Sequence, residues 1–147
     1  MGLFNNTTVT AATPLKLNVA EAFTAVLTTA MAADGYATDE ELRMMRDDLS
    51  SMQLFKPLDE EARLHMLDRI LKLLQSPGPE ALLAAAQGVL PEDLRETAFA
   101  MAADMVTSDG SLAEEEQAYL EQLQGTLQIS PSLAQSLITA MTIKNRG

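Results

Sequence analysis

Two short acidic stretches hold most of the chemistry this chain can offer. The first is Ala33-Asp34-Gly35-Tyr36-Ala37-Thr38-Asp39-Glu40-Glu41, and the second is Ser108-Asp109-Gly110-Ser111-Leu112-Ala113-Glu114-Glu115-Glu116. Each puts Asp-Gly after an apolar helical pattern and a Glu pair at the start of the next one. If the two turns meet, Asp34, Glu41, Asp109 and Glu116 bring carboxylates into common space. Oxygen-only ligands suit hard cations such as Ca²⁺, Mg²⁺ or Mn²⁺ rather than zinc or copper. Without a cation, like-charge repulsion would raise some of their pKa values. The turn is not an EF-hand loop, because alternating Asp/Asn ligands before the glycine are missing.

Each acid also has a structural explanation. Asp39, Glu40, Glu41, Glu114, Glu115 and Glu116 fall in first helical turns, where an anion meets the positive end of the helix dipole, typically worth ~0.3–1 kcal/mol. Glu41 and Glu116 sit where a capping box uses its glutamate, leaving Glu40 and Glu115 as the outward ligands. Asp34 and Asp109 differ. Each ends a helix, where the dipole disfavours an anion, and the choice is made twice. Two readings stay open for them: a turn staple accepting N–H bonds from the following residues, or a cation ligand. Asp104 is a further candidate, weighed against a solvated helix face.

Catalytic alternatives are thin. There is no Cys, which excludes disulfides, zinc–thiolate sites and thiol chemistry. His65 is the one His, and no Glu-x-x-His pair of the di-iron type occurs. It reads as a surface or partly buried side chain. The expectation is a protein that is not an enzyme, with no organic cofactor. A cleft holding His65 beside a carboxylate and a hydroxyl would reopen the question.

The elements that position these acids are helical throughout. Apolar residues recur at i, i+3, i+4 and i+7. The first helix starts at Asn18, buries one face through Val19, Ala22, Phe23, Val26, Leu27, Ala30 and Met31, and stops at Gly35. The second starts at Thr38, with Glu41 completing a capping box, and buries Leu42, Met45, Leu49 and Met52. The third covers about 59–75 and is ended by Ser76-Pro77-Gly78-Pro79. A connector follows at 80–89. The fifth opens at Pro91 and ends at Gly110, the sixth spans about 113–127, and the seventh is capped by Ser130. No segment alternates with period two, so the fold class is all-α with about seven helices.

An offset of 75 residues lays Asp34-Gly35 on Asp109-Gly110, Val19 on Leu94, Val26 on Met101 and Met31 on Val106. Leu42 and Leu49 fall instead on Gln117 and Gln124. The pattern predicts an internally duplicated, pseudo-twofold bundle with halves at about 18–75 and 91–144, preceded by a polar arm at 1–17. A chain of 147 residues suffices for one such domain and its core. With 4% aromatics and no Trp, that core must be aliphatic.

The net charge of −11 disfavours nucleic acid and anionic membranes and favours cations or a basic protein face. No apolar run reaches the ~20 residues of a membrane span. Residues 1–17 lack a secretion-signal pattern, so a cytoplasmic location is expected.

Residues 31–35, Met-Ala-Ala-Asp-Gly, with Glu40-Glu41 resemble the signature of the TerB-like family, named for tellurite resistance. Asp109-Gly110 with Glu115-Glu116, followed by a Leu-rich helix ending at Leu127-Gln128-Ile129, resembles its second-half counterpart. The resemblance covers roughly 18–143 and departs at Ala113, where a Ser or Thr cap is usual. It implies an all-helical fold with the acidic turns close together, a proposed divalent-cation site, and a role in stress responses with no established enzymatic activity. Asp34, Glu40, Glu41, Asp109, Glu115 and Glu116 are the expected metal ligands. The alternative is a metal-independent interaction module whose acidic face docks a basic protein. Oligomeric state is not legible.

Overall fold

The computed structural model describes residues 15–33 and 39–146, with the side chains of Glu41 and Met44 left aside. Most of the N-terminal arm, Asp34, the stop expected at Gly35 and the cap expected at Thr38 therefore lie outside the described residues. Seven α-helices and no strand occur among them: α1 (Val19–Ala32), α2 (Asp39–Ser50), α3 (Glu60–Gln75), α4 (Pro79–Gln87), α5 (Glu92–Val106), α6 (Glu114–Leu127) and α7 (Pro131–Lys144), with a 3₁₀ turn at Gln53–Phe55. The all-α class expected from the sequence holds.

α1 is the axis of the molecule. Asn18 caps it in a reciprocal box: Asn18 Oδ1 accepts from the Glu21 N–H at 2.8 Å, and Glu21 Oε1 accepts from the Asn18 N–H at 2.9 Å. The helix was expected to bury one face. It is instead buried on all sides, from Ala22 to Met31 without a break, as a helix apolar all round must be. α3, α4 and α5 pack around it.

Three threonines sit in that buried stretch, and burying a hydroxyl without a partner is costly. Each bonds back to its own helix: Thr24 to the Ala20 carbonyl at 2.9 Å, Thr28 to Ala25 at 2.9 Å and Thr29 to Val26 at 2.8 Å. Phe55 in the 3₁₀ turn meets Phe23 edge-on, with ring centroids 6.2 Å apart, and both rings are fully buried. Aromatic pairs prefer such tilted geometry. Around them the core is aliphatic: Leu27, Ile70, Leu82, Leu120, Leu123 and Leu127 are buried.

Two expected boundaries shift. α5 ends at Val106, not at Gly110, because Thr107 closes the last turn. Its N–H bonds the Ala103 carbonyl at 3.0 Å, and its hydroxyl bonds the same carbonyl at 2.7 Å. Pro91 is the N-cap of α5 rather than its first residue. The 75-residue offset holds for the starts of α2 and α6, at Asp39 and Glu114, but α3 and α7 start at Glu60 and Pro131, 71 apart.

Candidate functional site

The second acidic turn can be built atom by atom. Past Thr107 the chain turns through Ser108 and Asp109 to Gly110, whose N–H bonds the Thr107 carbonyl at 2.8 Å. Gly110 has φ +82°, and a Cβ there would stand 3.0 Å from the Asn145 carbonyl oxygen. Only glycine adopts this conformation cheaply, and only glycine lets the end of α7 approach so closely.

Asp109 Oδ1 then accepts from the Ser111 N–H at 3.0 Å and from the Ser111 hydroxyl at 2.9 Å. Those bonds stabilise the anion and hold the Asp109 carboxyl below its usual pKa. Asp109 was expected at a helix end. It lies three residues beyond the end of α5, where the dipole is a weaker objection. The staple reading therefore describes its Oδ1. No described residue bonds its Oδ2.

Glu116 Oε1 accepts from the Ala113 N–H at 2.9 Å. This is half of a capping box, since Ala113 has no side-chain oxygen to return the bond. Glu114 and Glu115 are exposed on the same first turn. Asp104 is taken from the other side: Lys144 Nζ lies 3.1 Å from its Oδ1, and Asn145 Nδ2 donates to the same oxygen at 2.8 Å. Lys144 and Asn145, at the end of α7, are thus the clamp on this corner. Its signal would have been an Asn just past the last helix, a residue that often bonds backbone and side chains at helix ends.

Of the other expected ligands, Glu40 is exposed in the first turn of α2, beside Asp39. Asp34 and the Glu41 side chain lie outside the described residues. Among the described residues no group of three or more His, Cys, Asp or Glu side chains could hold a metal.

One hydrogen bond ties the helix before the first acidic stretch to the helix after the second. Tyr119, in the second turn of α6, donates to the Thr29 hydroxyl in the last turn of α1 at 2.8 Å, since Thr29 spends its own hydrogen on the Val26 carbonyl, and the Tyr119 oxygen lies 3.3 Å from that same carbonyl. Burial pushes the Tyr119 phenol well above its ordinary pKa, so it stays neutral. The acidic motifs alone do not point to this bond. A tyrosine one turn past an acidic helix start, opposite a Thr-Thr pair in an apolar helix, was the available signal.

His65 is exposed, in an open cleft with Glu21, Asp68, Arg69 and Ser76. The cleft does have a carboxylate and a hydroxyl, but both acids are engaged elsewhere. Glu21 Oε2 pairs with Arg69 at 2.8 Å, and Asp68 pairs with Lys72 at 3.1 Å. No described hydrogen bond joins His65 to either.

Fold and turn together define a class: a small all-α domain with a central helix, in which an Asp-Gly turn feeds an acid-capped helix bonded back to that centre. Residues 20–139 match the model of the family described as tellurite resistance protein TerB. The chain belongs to that family. No curated protein and no solved structure matches it. No described helix is long and apolar enough to cross a membrane.

Proposed function

We propose that this TerB-family protein acts in stress response by binding rather than turnover, and that its acidic turns take a divalent cation. The Thr29–Tyr119 bond carries the reading. It fastens the last turn of α1, five residues before Asp34, to α6 one turn beyond Glu116. That fastening supports a reading in which the two acidic stretches lie near each other. Asp109 supports it further: a carboxylate held by one oxygen and kept ionised offers the other oxygen to a hard cation. In this reading Asp34, Glu40 and Glu41 supply the first-half oxygens, and Asp109 and Glu115 the second-half ones. Glu116 contributes only if it gives up its cap.

Titration calorimetry with Ca²⁺, Mn²⁺ and Mg²⁺ tests the proposal. Wild type should release or absorb heat with at least one ion, and the double variant Asp34→Asn with Asp109→Asn should lose it. Absent heat, or heat unchanged in the double variant, removes the cation site.

A second reading has its own observation. Glu116 and Asp104 are both spent on structural bonds, which leaves an acidic rim better suited to a basic protein than to chelation. Binding that weakens with salt and ignores chelator would favour it.

A further inference from the structure

A cavity of about 180 Å³ lies between α2 and α3 and includes none of the residues read above as cation ligands. Leu49, Met66 and Leu67 wall it from the core side, and Leu64 stands beside them, 40% exposed. Arg46, Asp47, Glu60 and Arg63 share the same cavity. Two positive and two negative side chains could cancel by pairing with one another. Among the described residues they do not: no ion pair includes any of the four. Glu60 and Arg63 stand one turn apart on α3, where opposite charges ordinarily meet. Arg63 donates to the Leu58 carbonyl instead.

The fold does not require these charges. α6 and α7 form the corresponding hairpin in the second half, and a cavity lies between them too. Counting from the helix starts, Arg46 corresponds to Glu121, Glu60 to Pro131 and Arg63 to Ala134, all of which line that second cavity. The same helix pair is thus closed there without either arginine. The guanidinium groups between α2 and α3 are free to serve a ligand.

Charge and volume together select its class. A simple anion is repelled by a chain at −11 and by Asp47 and Glu60 at the site. A simple cation meets Arg46 and Arg63. A molecule that carries both charges and is neutral overall avoids both penalties. The apolar wall asks for a hydrophobic group on the same molecule, and a void of about 150 Å³ is enough for a benzene ring. We infer that this cavity binds a free α-amino acid with an apolar side chain of leucine or phenylalanine size. Its carboxylate lies on Arg46 and Arg63, whose planar guanidinium groups match carboxylate geometry. Its ammonium lies on Asp47 and Glu60, and its side chain packs against Leu49, Leu64 and Leu67.

Titration of the full chain with L-leucine, followed by amide NMR, tests the inference. Signals of α2 and α3 should shift saturably, with a Kd of about 1 mM or tighter. Isocaproate, which lacks the ammonium, and isoamylamine, which lacks the carboxylate, should each bind at least about tenfold more weakly, equivalent to ~1.4 kcal/mol. Glycine, with no side chain to fill the void, should give no saturable shift. Arg46→Gln and Glu60→Gln should each raise the leucine Kd by about tenfold. Both residues are exposed, so both variants should keep the wild-type circular dichroism spectrum. Lys72→Gln, which removes a charge outside the cavity, should leave the Kd unchanged, and so should a chelator, which separates this site from the cation site. No saturable shift with leucine, isocaproate or isoamylamine binding as tightly as leucine, or a Kd indifferent to both Arg46→Gln and Glu60→Gln would each overturn it.

Discussion

α2 and α6 both follow an acidic stretch and both start with acids, yet they are anchored differently. α6 drives Leu120, Leu123 and Leu127 into the core, ties Tyr119 to Thr29 and begins beneath a turn clamped by Asn145. α2 has seven charged residues among twelve, and its described buried residues are Met45 and Leu49. One acidic corner is thus built on a fixed mount and the other on a lighter one. A site drawn from both would rely on the second half for position and on the first half for adjustment.

The largest expected effect measures that contrast directly. Leu123→Ala should cost near the top of the ~2–5 kcal/mol range for buried Leu truncation, and Leu49→Ala near the bottom, because a lightly held helix collapses onto its cavity. Urea denaturation followed by circular dichroism gives both numbers. Equal losses would erase the distinction between the two helices.

Next in size is the clamp. Gly110→Ala forces a side chain into φ +82° and against the Asn145 carbonyl. The expected destabilisation is ~1–3 kcal/mol, read as a lower Tm. An unchanged Tm would mean the tail does not hold the turn.

The smallest effect concerns the link between halves. Tyr119→Phe should cost ~0.5–1.5 kcal/mol near neutral pH, because Thr29 keeps its bond to the Val26 carbonyl. The pH dependence gives the sharper readout. With the Tyr119 pKa raised in the fold, its share of stability is intact below about pH 10, where an unfolded tyrosine titrates, and is lost as pH rises toward the raised value. Wild type should therefore lose stability above about pH 10 more steeply than Tyr119→Phe. Parallel curves would show that the phenol is not enclosed.

Much of this was readable from residue order. Apolar spacing located the seven described helices, and Ser130 and Asn18 do cap theirs. Periodicity missed the enclosure of α1, because Thr24, Thr28 and Thr29 look like a solvent face until their bonds to the preceding turn are seen. Gly110 misled as a helix stop because its conformation serves a tertiary approach by Asn145, 35 residues away. At the acidic turn, Glu116 announced its cap by spacing alone. The partners of Asp104 did not announce themselves, since contacts across 40 residues leave no local pattern.

The Asp104 clamp also sets an order of events during synthesis. Its partners Lys144 and Asn145 leave the ribosome 40 and 41 residues after it, so the helices up to α6 can begin to assemble while this corner is still open. Only when the far end of α7 has been translated can the second acidic turn be locked, which makes it a late-finished part of the molecule.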